Sequence, residues 1–401
     1  MFTALRRLPP NVWLIGAISL LNDTASDLVY PLIPLYLSSV LMAGPKALGI
    51  IEGIAEATSS ILKLISGVLV DKTSRIVPWI VWGYGLAGFS RPLISIASSW
   101  VGVLGIRMLD RVGKGLRSSP RDALLAASVP PERRGLAFGL HRSMDNAGAV
   151  LGPILAAVLL GYGFKVRDLF VISIIPAVLC LGMSLLIREP KNALAEVRRG
   201  KFSWNFHNLP IEFKRYLFAV VVFTLGNSSN MFLLLRAREL GLPEAQVPLA
   251  WATISAIATI FGTPLSALSD KFGRIRSIAA GWLAYGLFYL SLGFLPPGNP
   301  ILLFGLFAFY GLFLAATEGV EKALVADLAP STMLGTAYGW FNLASGIMLL
   351  PASIIFGWLY ETAGATIAFE FSASCAVVST VLLFRVKLRA DGSPAYMGKI
   401  G

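Results

Sequence analysis

About twelve apolar runs, each near 20 residues long and separated by short charged segments, dominate this chain. A helix of that length rises about 30 Å, the thickness of a bilayer's hydrocarbon core. The runs fall near 12–37, 47–69, 78–97, 100–121, 135–160 and 168–187, then near 216–236, 247–268, 277–295, 300–328, 335–360 and 364–385. Of the 401 residues, 56% are hydrophobic and only 14% charged. A soluble domain averages about 45–50% and about 25%, so most of this chain cannot face water. The expected fold class is an all-α integral membrane protein of twelve transmembrane helices.

The net charge of +12 would, in a soluble protein, raise nucleic acid as a partner. The basic residues instead fall mostly between apolar runs. Roughly 23 of the 34 Lys and Arg lie at the N-terminus, the even-to-odd loops and the C-terminus, against about five in the opposite loops. That bias places both termini, and the polar segment Arg188–Arg215 with its seven Lys or Arg, on the cytoplasmic side of a bacterial-type inner membrane. It excludes nucleic-acid binding. The N-terminal run lacks a small-residue cleavage site and continues through Asn22 and Asp23, so it reads as the first membrane helix rather than a signal peptide. Cys180 and Cys375 lie inside apolar runs with no metal or disulfide spacing.

The halves repeat at an offset of 200 residues. Ala123/Ala323, Leu124/Leu324, Ala126/Ala326, Pro130/Pro330, Gly135/Gly335, Ala137/Ala337 and Gly139/Gly339 match without a gap. The expected organisation is an N-terminal six-helix bundle (1–187), a cytoplasmic linker (188–215) and a C-terminal six-helix bundle with a short tail (216–401).

After the second run comes Gly67-Val-Leu-Val-Asp71-Lys72-Thr-Ser-Arg75, and after the eighth Ser266-Ala-Leu-Ser-Asp270-Lys271-Phe-Gly273-Arg274. Both resemble the loop signature of the major facilitator superfamily, Gly-x-Leu-x-Asp-Arg-x-Gly-Arg, with Ser74 and Ser266 each replacing one Gly. An Asp at a helix end facing basic side chains makes a contact that can form or break as two halves move. The fifth run carries Gly139, Gly148, Gly152 and Pro153, similar to the family's antiporter motif except that Ala156 stands at its last Gly. Plain helix packing accounts for the same residues. Arg107-x-x-Asp110-Arg111-x-Gly113-Lys114-Gly115-x-Arg117, and Glu318-Gly-Val-Glu321-Lys322 in the tenth run, resemble a poorly characterised prokaryotic permease group. The resemblance implies two pseudo-symmetric bundles, alternating access, no cofactor and a monomer. It names no substrate.

Charges within membrane spans are costly, and each is by default a functional-site hypothesis. On the second helix Glu52, Glu56, Ser59 and Lys63 share an arc of roughly 60° at 100° per residue. On the fourth, Arg107, Asp110, Arg111, Lys114, Arg117 and Arg121 share about 120°. The first adds Asn22, Asp23, Ser26, Asp27 and Tyr30. By depth, Asn22, Asp23, Glu56, Arg111, Asp145, Asn227 and Asn230 come near the bilayer middle and are candidates for the cavity. Lys63, Arg117, Arg121, Glu318, Glu321 and Lys322 come nearer the cytoplasmic ends and are candidates for a gate. Asp23 and Glu56 are the preferred proton carriers. Arg111 suits an anionic substrate, or equally a standing ion pair with Asp23, Asp27 or Glu56. Arg91, His141 and Arg142 rank below these.

The resulting expectation is a secondary transporter exporting a small organic molecule by proton antiport. Two alternatives are a proton-coupled importer of an organic anion or siderophore-like metabolite, and a membrane sensor or assembly factor that transports nothing. With only His141 and His207 and no nucleophile–base set, the chain does not read as an enzyme. Gly113-Lys114-Gly115 lacks the spacing of a phosphate-binding loop, which disfavours ATP-driven transport.

Overall fold

A computed structural model describes residues 8–72, 76–130, 133–189, 206–330 and 333–386. Every regular element among them is helical, and they form twelve membrane-crossing units. The first is α1, Pro10–Val29, extended past Pro31 by Leu32–Leu35 and a π-helical turn, Tyr36–Val40. Then follow α2 (Pro45–Lys72), α3 (Val77–Ser90, continued by the 3-10 turn Arg91–Ile96), α4 (Trp100–Ala127), α5 (Arg134–Gly161) and α6 (Val166–Ile172 and Ile174–Ser184). The second half contains α7 (Ile211–Gly226 and Met231–Glu239), α8 (Val247–Phe272), α9 (Arg274–Phe294), α10 (Pro300–Leu328), α11 (Leu334–Thr362) and α12 (Ala365–Leu383).

Local chemistry sets these limits. Proline occupies the first turn of α1, α3, α8 and α10, where its missing N–H has no intrahelical partner to lose. Ser99 and Asn299 cap α4 and α10 by accepting from the backbone of Gly102 (3.3 Å) and Leu302 (3.0 Å). Gly273, at φ 90°, makes the sharp α8–α9 turn, a conformation that a side chain would strain.

Nine described spans are long and apolar enough to cross a bilayer. The remaining three are α2 and α4, which carry the charged stripes, and α3, whose α-helical part is 14 residues long. Several helices outrun their apolar runs: α4 continues to Ala127, α7 starts at Ile211 and α9 at Arg274. Charged terminal turns stay helical where their side chains face protein or interface. One expectation needs correcting: Asn227 and Asn230 do not project from a continuous seventh helix. They bracket an unwound break between Gly226 and Met231.

Each six-helix bundle repeats the same pairings. In the first, α1 packs on α5 and α6, and α4 on α2 and α3; in the second, α7 packs on α11 and α12, and α10 on α8 and α9. The halves meet through α2 on α11 and α5 on α8, two contacts that exchange under the repeat. Their cores differ. The second half is held by buried rings, with Phe223 stacked on Trp282 (centroids 4.7 Å apart), Tyr285 on Tyr289 (4.1 Å) and Phe288 against Tyr310 (4.6 Å). The first half buries ion pairs.

Candidate functional site

Asp110 is the hub of that first half. Its carboxylate accepts from Arg91 Nε of α3 (2.9 Å), Arg107 Nη1 (3.2 Å) and Arg111 Nη1 (3.0 Å). Arg107 also donates to Glu52 Oε1 through Nε and Nη2 (3.0 and 2.6 Å). Arg111 Nε lies 2.8 Å from Glu56 Oε1. Arg91 reaches on to α1, donating to the backbone carbonyl and side-chain oxygen of Asn22 (both 3.1 Å). Three guanidiniums and three carboxylates thus neutralise one another across α1–α4, and removal of a partner would leave a buried charge uncompensated. Of the partners expected for Arg111, the structure has Glu56 and neither Asp23 nor Asp27; Asp110, which was not anticipated, is the second.

Glycines let the charged helices close. A Cβ on Gly113 would lie 2.5 Å from the Gly83 carbonyl of α3, and one on Gly115 2.5 Å from Leu62 Cβ of α2. Ser66 and Ser119 fasten the α2–α4 crossing by donating to the carbonyls of Gly115 (2.9 Å) and Lys63 (2.7 Å). The Gly-Lys-Gly triplet is therefore a helix crossing, approached by α3 on one side and α2 on the other.

A second group of acids sits where α1 crosses α5. A Cβ on Gly148 would meet the Leu20 carbonyl (2.5 Å) and Asp23 Cβ (3.0 Å), and one on Gly152 the Thr24 carbonyl (2.6 Å). Gly139 has open space around it, so only part of the antiporter-like motif packs helices. This crossing sets Asp23 of α1 against the turn of α5 that carries Asp145 and Gly148. Asn22 donates to Asp23 Oδ1 (2.7 Å). Asp27, one turn on, accepts the indole N–H of Trp251 from α8 (2.9 Å), and Tyr30 lies against the same ring, 4.9 Å between centroids.

The Asp27–Trp251 bond joins the halves, as do two others: the Lys46 backbone N–H donates to Glu361 Oε2 (3.0 Å), and Ser229 of the α7 break donates to Glu52 Oε2 (3.4 Å). Asn230 accepts from Tyr310 OH (2.7 Å), pinning the broken segment to α10, while Asn227 lies half-buried in the break. Discontinuous helices of this kind expose backbone dipoles to a cavity.

Toward the end of the molecule that carries the central linker, the halves enclose a cavity of about 800 Å³. Arg121, His141, Arg142 and Asp145 line it from α4–α5, and Thr259, Arg274, Glu318 and Lys322 from α8–α10. Arg142 spans it to Glu318 (2.5 Å), both about half exposed. Other gate candidates sit within one half. Glu321 accepts from the Trp282 indole (2.9 Å), Arg274 donates to Asp327 (2.7 Å), and Arg117 lies 4.7 Å over the Tyr84 ring. Arg121 pairs with its neighbour Asp122 (2.9 Å), and buried His141 shares a hydrogen bond with Ser19 (2.7 Å). Of the loop motifs, Arg75 and the side chains of Gly67–Lys72 and Asp270 lie outside the described residues.

The sequence reading missed Asp110 as hub, Arg91 as its partner, and Trp251 and Tyr310 as contacts across helices. Spacing gave one usable signal: Asp110 stands three residues after Arg107 and beside Arg111. Among the described residues no group of His, Cys, Asp or Glu is arranged to hold a metal ion.

Two six-helix bundles with matching internal pairings, a broken seventh helix and a cavity between the halves define a multi-pass membrane carrier. The chain belongs to the Major Facilitator Superfamily, whose family model matches residues 13–215 and 216–396. It is 32% identical over 388 residues to an uncharacterized MFS-type transporter of Methanocaldococcus jannaschii, covering 94% of this chain and 95% of that one. It is 25% identical over 350 residues to the multidrug resistance protein MdtH of Photorhabdus laumondii, covering 84% and 83%. Its backbone matches a crystal structure of the peptide transporter POT with a TM-score of 0.79 over 94% of each chain, at 13% identity. It is a secondary transporter and belongs to no enzyme family.

Proposed function

We propose that this carrier exports a small organic molecule in exchange for protons. Residues 1–187 and 216–401 would rock as two units about the midplane, joined by a cytoplasmic linker at 188–215, within a monomer in the inner membrane. The observation carrying this reading is the close α1–α5 crossing, where a Cβ on Gly148 would lie 3.0 Å from Asp23 Cβ and Asp145 stands one turn before it on α5. Two carboxyl groups held there share one proton, and its loss leaves two like charges facing each other where Gly148 has brought the helices together. Loading and unloading that proton therefore acts on a helix contact between the cavity and the Asp27–Trp251 bridge. Glu56, occupied by Arg111, is the weaker carrier. The direction rests on the multidrug resistance protein among the relatives.

Reconstitution into liposomes holding a pH-sensitive dye tests the proposal. A panel of drugs and carboxylates should drive proton movement with one class of compound, and Asp23→Asn should abolish it. Proton movement that persists in an Asp23→Asn/Asp145→Asn double variant would remove this pair from the mechanism.

A further inference from the structure

Once Glu52, Glu56 and Asp110 are assigned to Arg91, Arg107 and Arg111, two cations of α2 and α4 remain without an ion-pair partner. Lys63 of α2 and Lys114 of α4 are both half-buried, and neither ammonium has a hydrogen-bond or ion-pair partner among the described residues. The two emerge from the tightest part of the α2–α4 crossing: Lys63 follows Leu62 and Lys114 precedes Gly115, the two residues in closest contact there. Their mutual repulsion is built in, because Ser66 and Ser119 fix the backbones on either side. The charged groups facing Lys63 are Lys114, Glu56, Arg111 and Arg121. Of these only Glu56 is acidic, and its Oε1 lies against Arg111; Lys114 also faces Asp27 of α1, whose Oδ1 is taken by the Trp251 indole N–H. Ser59, one turn from Lys63 on the same face of α2, is buried with its hydroxyl unpartnered.

Lys114 and Arg121 are seven residues apart on α4, hence on one face, with about 10 Å of rise between them. Arg121 lines the cavity, so the lysine pair lies deeper along the same face, toward the α7 break. A pair of unpartnered ammonium groups at membrane depth costs several kcal/mol unless something supplies the counter-charge.

The geometry points to an anionic group of the transported molecule, a carboxylate or phosphate, as that counter-charge, held between Lys63 and Lys114. This deepens the transport reading and rests on it: the cargo is an organic anion. An ammonium is a compact charge with three donors on a flexible stem, suited to grip a carboxylate and release it without a fixed fork geometry. Entry of the anion lowers the repulsion between α2 and α4. α2 is also the helix that packs on α11 of the other half, where a Cβ on Gly53 would lie 2.9 Å from the Leu350 carbonyl. Occupancy is thereby felt at the boundary between the halves.

The test uses the purified full chain in detergent with four probes of one shape: benzoate, phenyl phosphate, benzylamine and benzyl alcohol. Benzoate or phenyl phosphate should raise the thermal unfolding temperature while benzylamine and benzyl alcohol do not. Lys63→Gln and Lys114→Gln should each weaken the protecting anion at least about tenfold, and Lys→Arg at either position should retain most of it. Failure of both anions to protect the wild type overturns the site, as does equal protection by benzylamine, or protection that survives in the Lys63→Gln/Lys114→Gln double variant. The two proposals fail separately. Anion binding without proton movement in liposomes rejects the antiport and keeps the site. Proton movement driven by a cation, unchanged in the double variant, rejects the site and keeps the antiport.

Discussion

Trp251 of α8 donates its indole N–H to Asp27 of α1 at 2.9 Å, across the boundary between the two halves. The bond lies on the closed side of the molecule, one helical turn from Asp23. A hydrogen bond to a charged acceptor contributes about 1.5–3 kcal/mol. Trp251→Phe keeps the ring against Tyr30 and removes only the donor, so it should shift the balance of open and closed forms by about tenfold or more. Spin labels at Met42→Cys and Ala363→Cys, both on the closed end, measure this directly. The population with the longer distance should grow in the variant, and an unchanged distance distribution would show that the bond does not hold the halves.

Asp110→Asn should be the most damaging single change in the first half. It leaves three guanidiniums facing a neutral amide, and breaking a buried pair costs about 3–5 kcal/mol. The variant should unfold at markedly lower temperature in detergent. Glu56→Gln, which frees one bond on a partly exposed carboxylate, should lower it less.

The helix-five glycines separate by environment. Gly148→Val would drive a side chain into the Leu20 carbonyl and Asp23, and should cost both stability and transport. Gly139→Ala enters open space and should leave stability within about 0.5 kcal/mol.

Arg142 and Glu318 bridge the cavity while half exposed, and such pairs are worth about 0–1 kcal/mol. Arg142→Gln should therefore leave the unfolding temperature nearly unchanged while altering the rate of transport and its salt dependence. The exchanged variant Arg142→Glu/Glu318→Arg should recover the wild-type rate. A large loss of stability in either single variant would show that the pair is structural.

Length and polarity alone made the helices legible, and the offset between Ala123 and Ala323 made the two bundles legible. The positions of Glu52, Glu56, Arg107 and Arg111 on narrow faces also followed from spacing. What spacing cannot supply is the rotation of one helix against another. Arg91 was visible as a charge in an apolar run, but its aim at Asp110 and Asn22 depends on how α3 packs on α4, through Gly83 and Gly113. The break in α7 was hidden for a different reason. Gly226-Asn-Ser-Ser-Asn230 is a polar patch inside a strong apolar window, which hydropathy averages away. Trp251 looked like any apolar residue until Asp27 stood opposite its one polar atom.

The network around Asp110 also bears on how the protein is made. Alone, α4 carries five charges between Arg107 and Arg117, each costing about 2.5–3.5 kcal/mol to place at the centre of a bilayer, so it is a poor candidate to leave the insertion machinery unaided. The groups paired with Arg107, Asp110 and Arg111 on other helices all precede it in the chain: Glu52 and Glu56 on α2, and Arg91 at the end of α3. As α4 emerges from the ribosome its partners are already in the membrane, and the first bundle can close before any of the second has been synthesised.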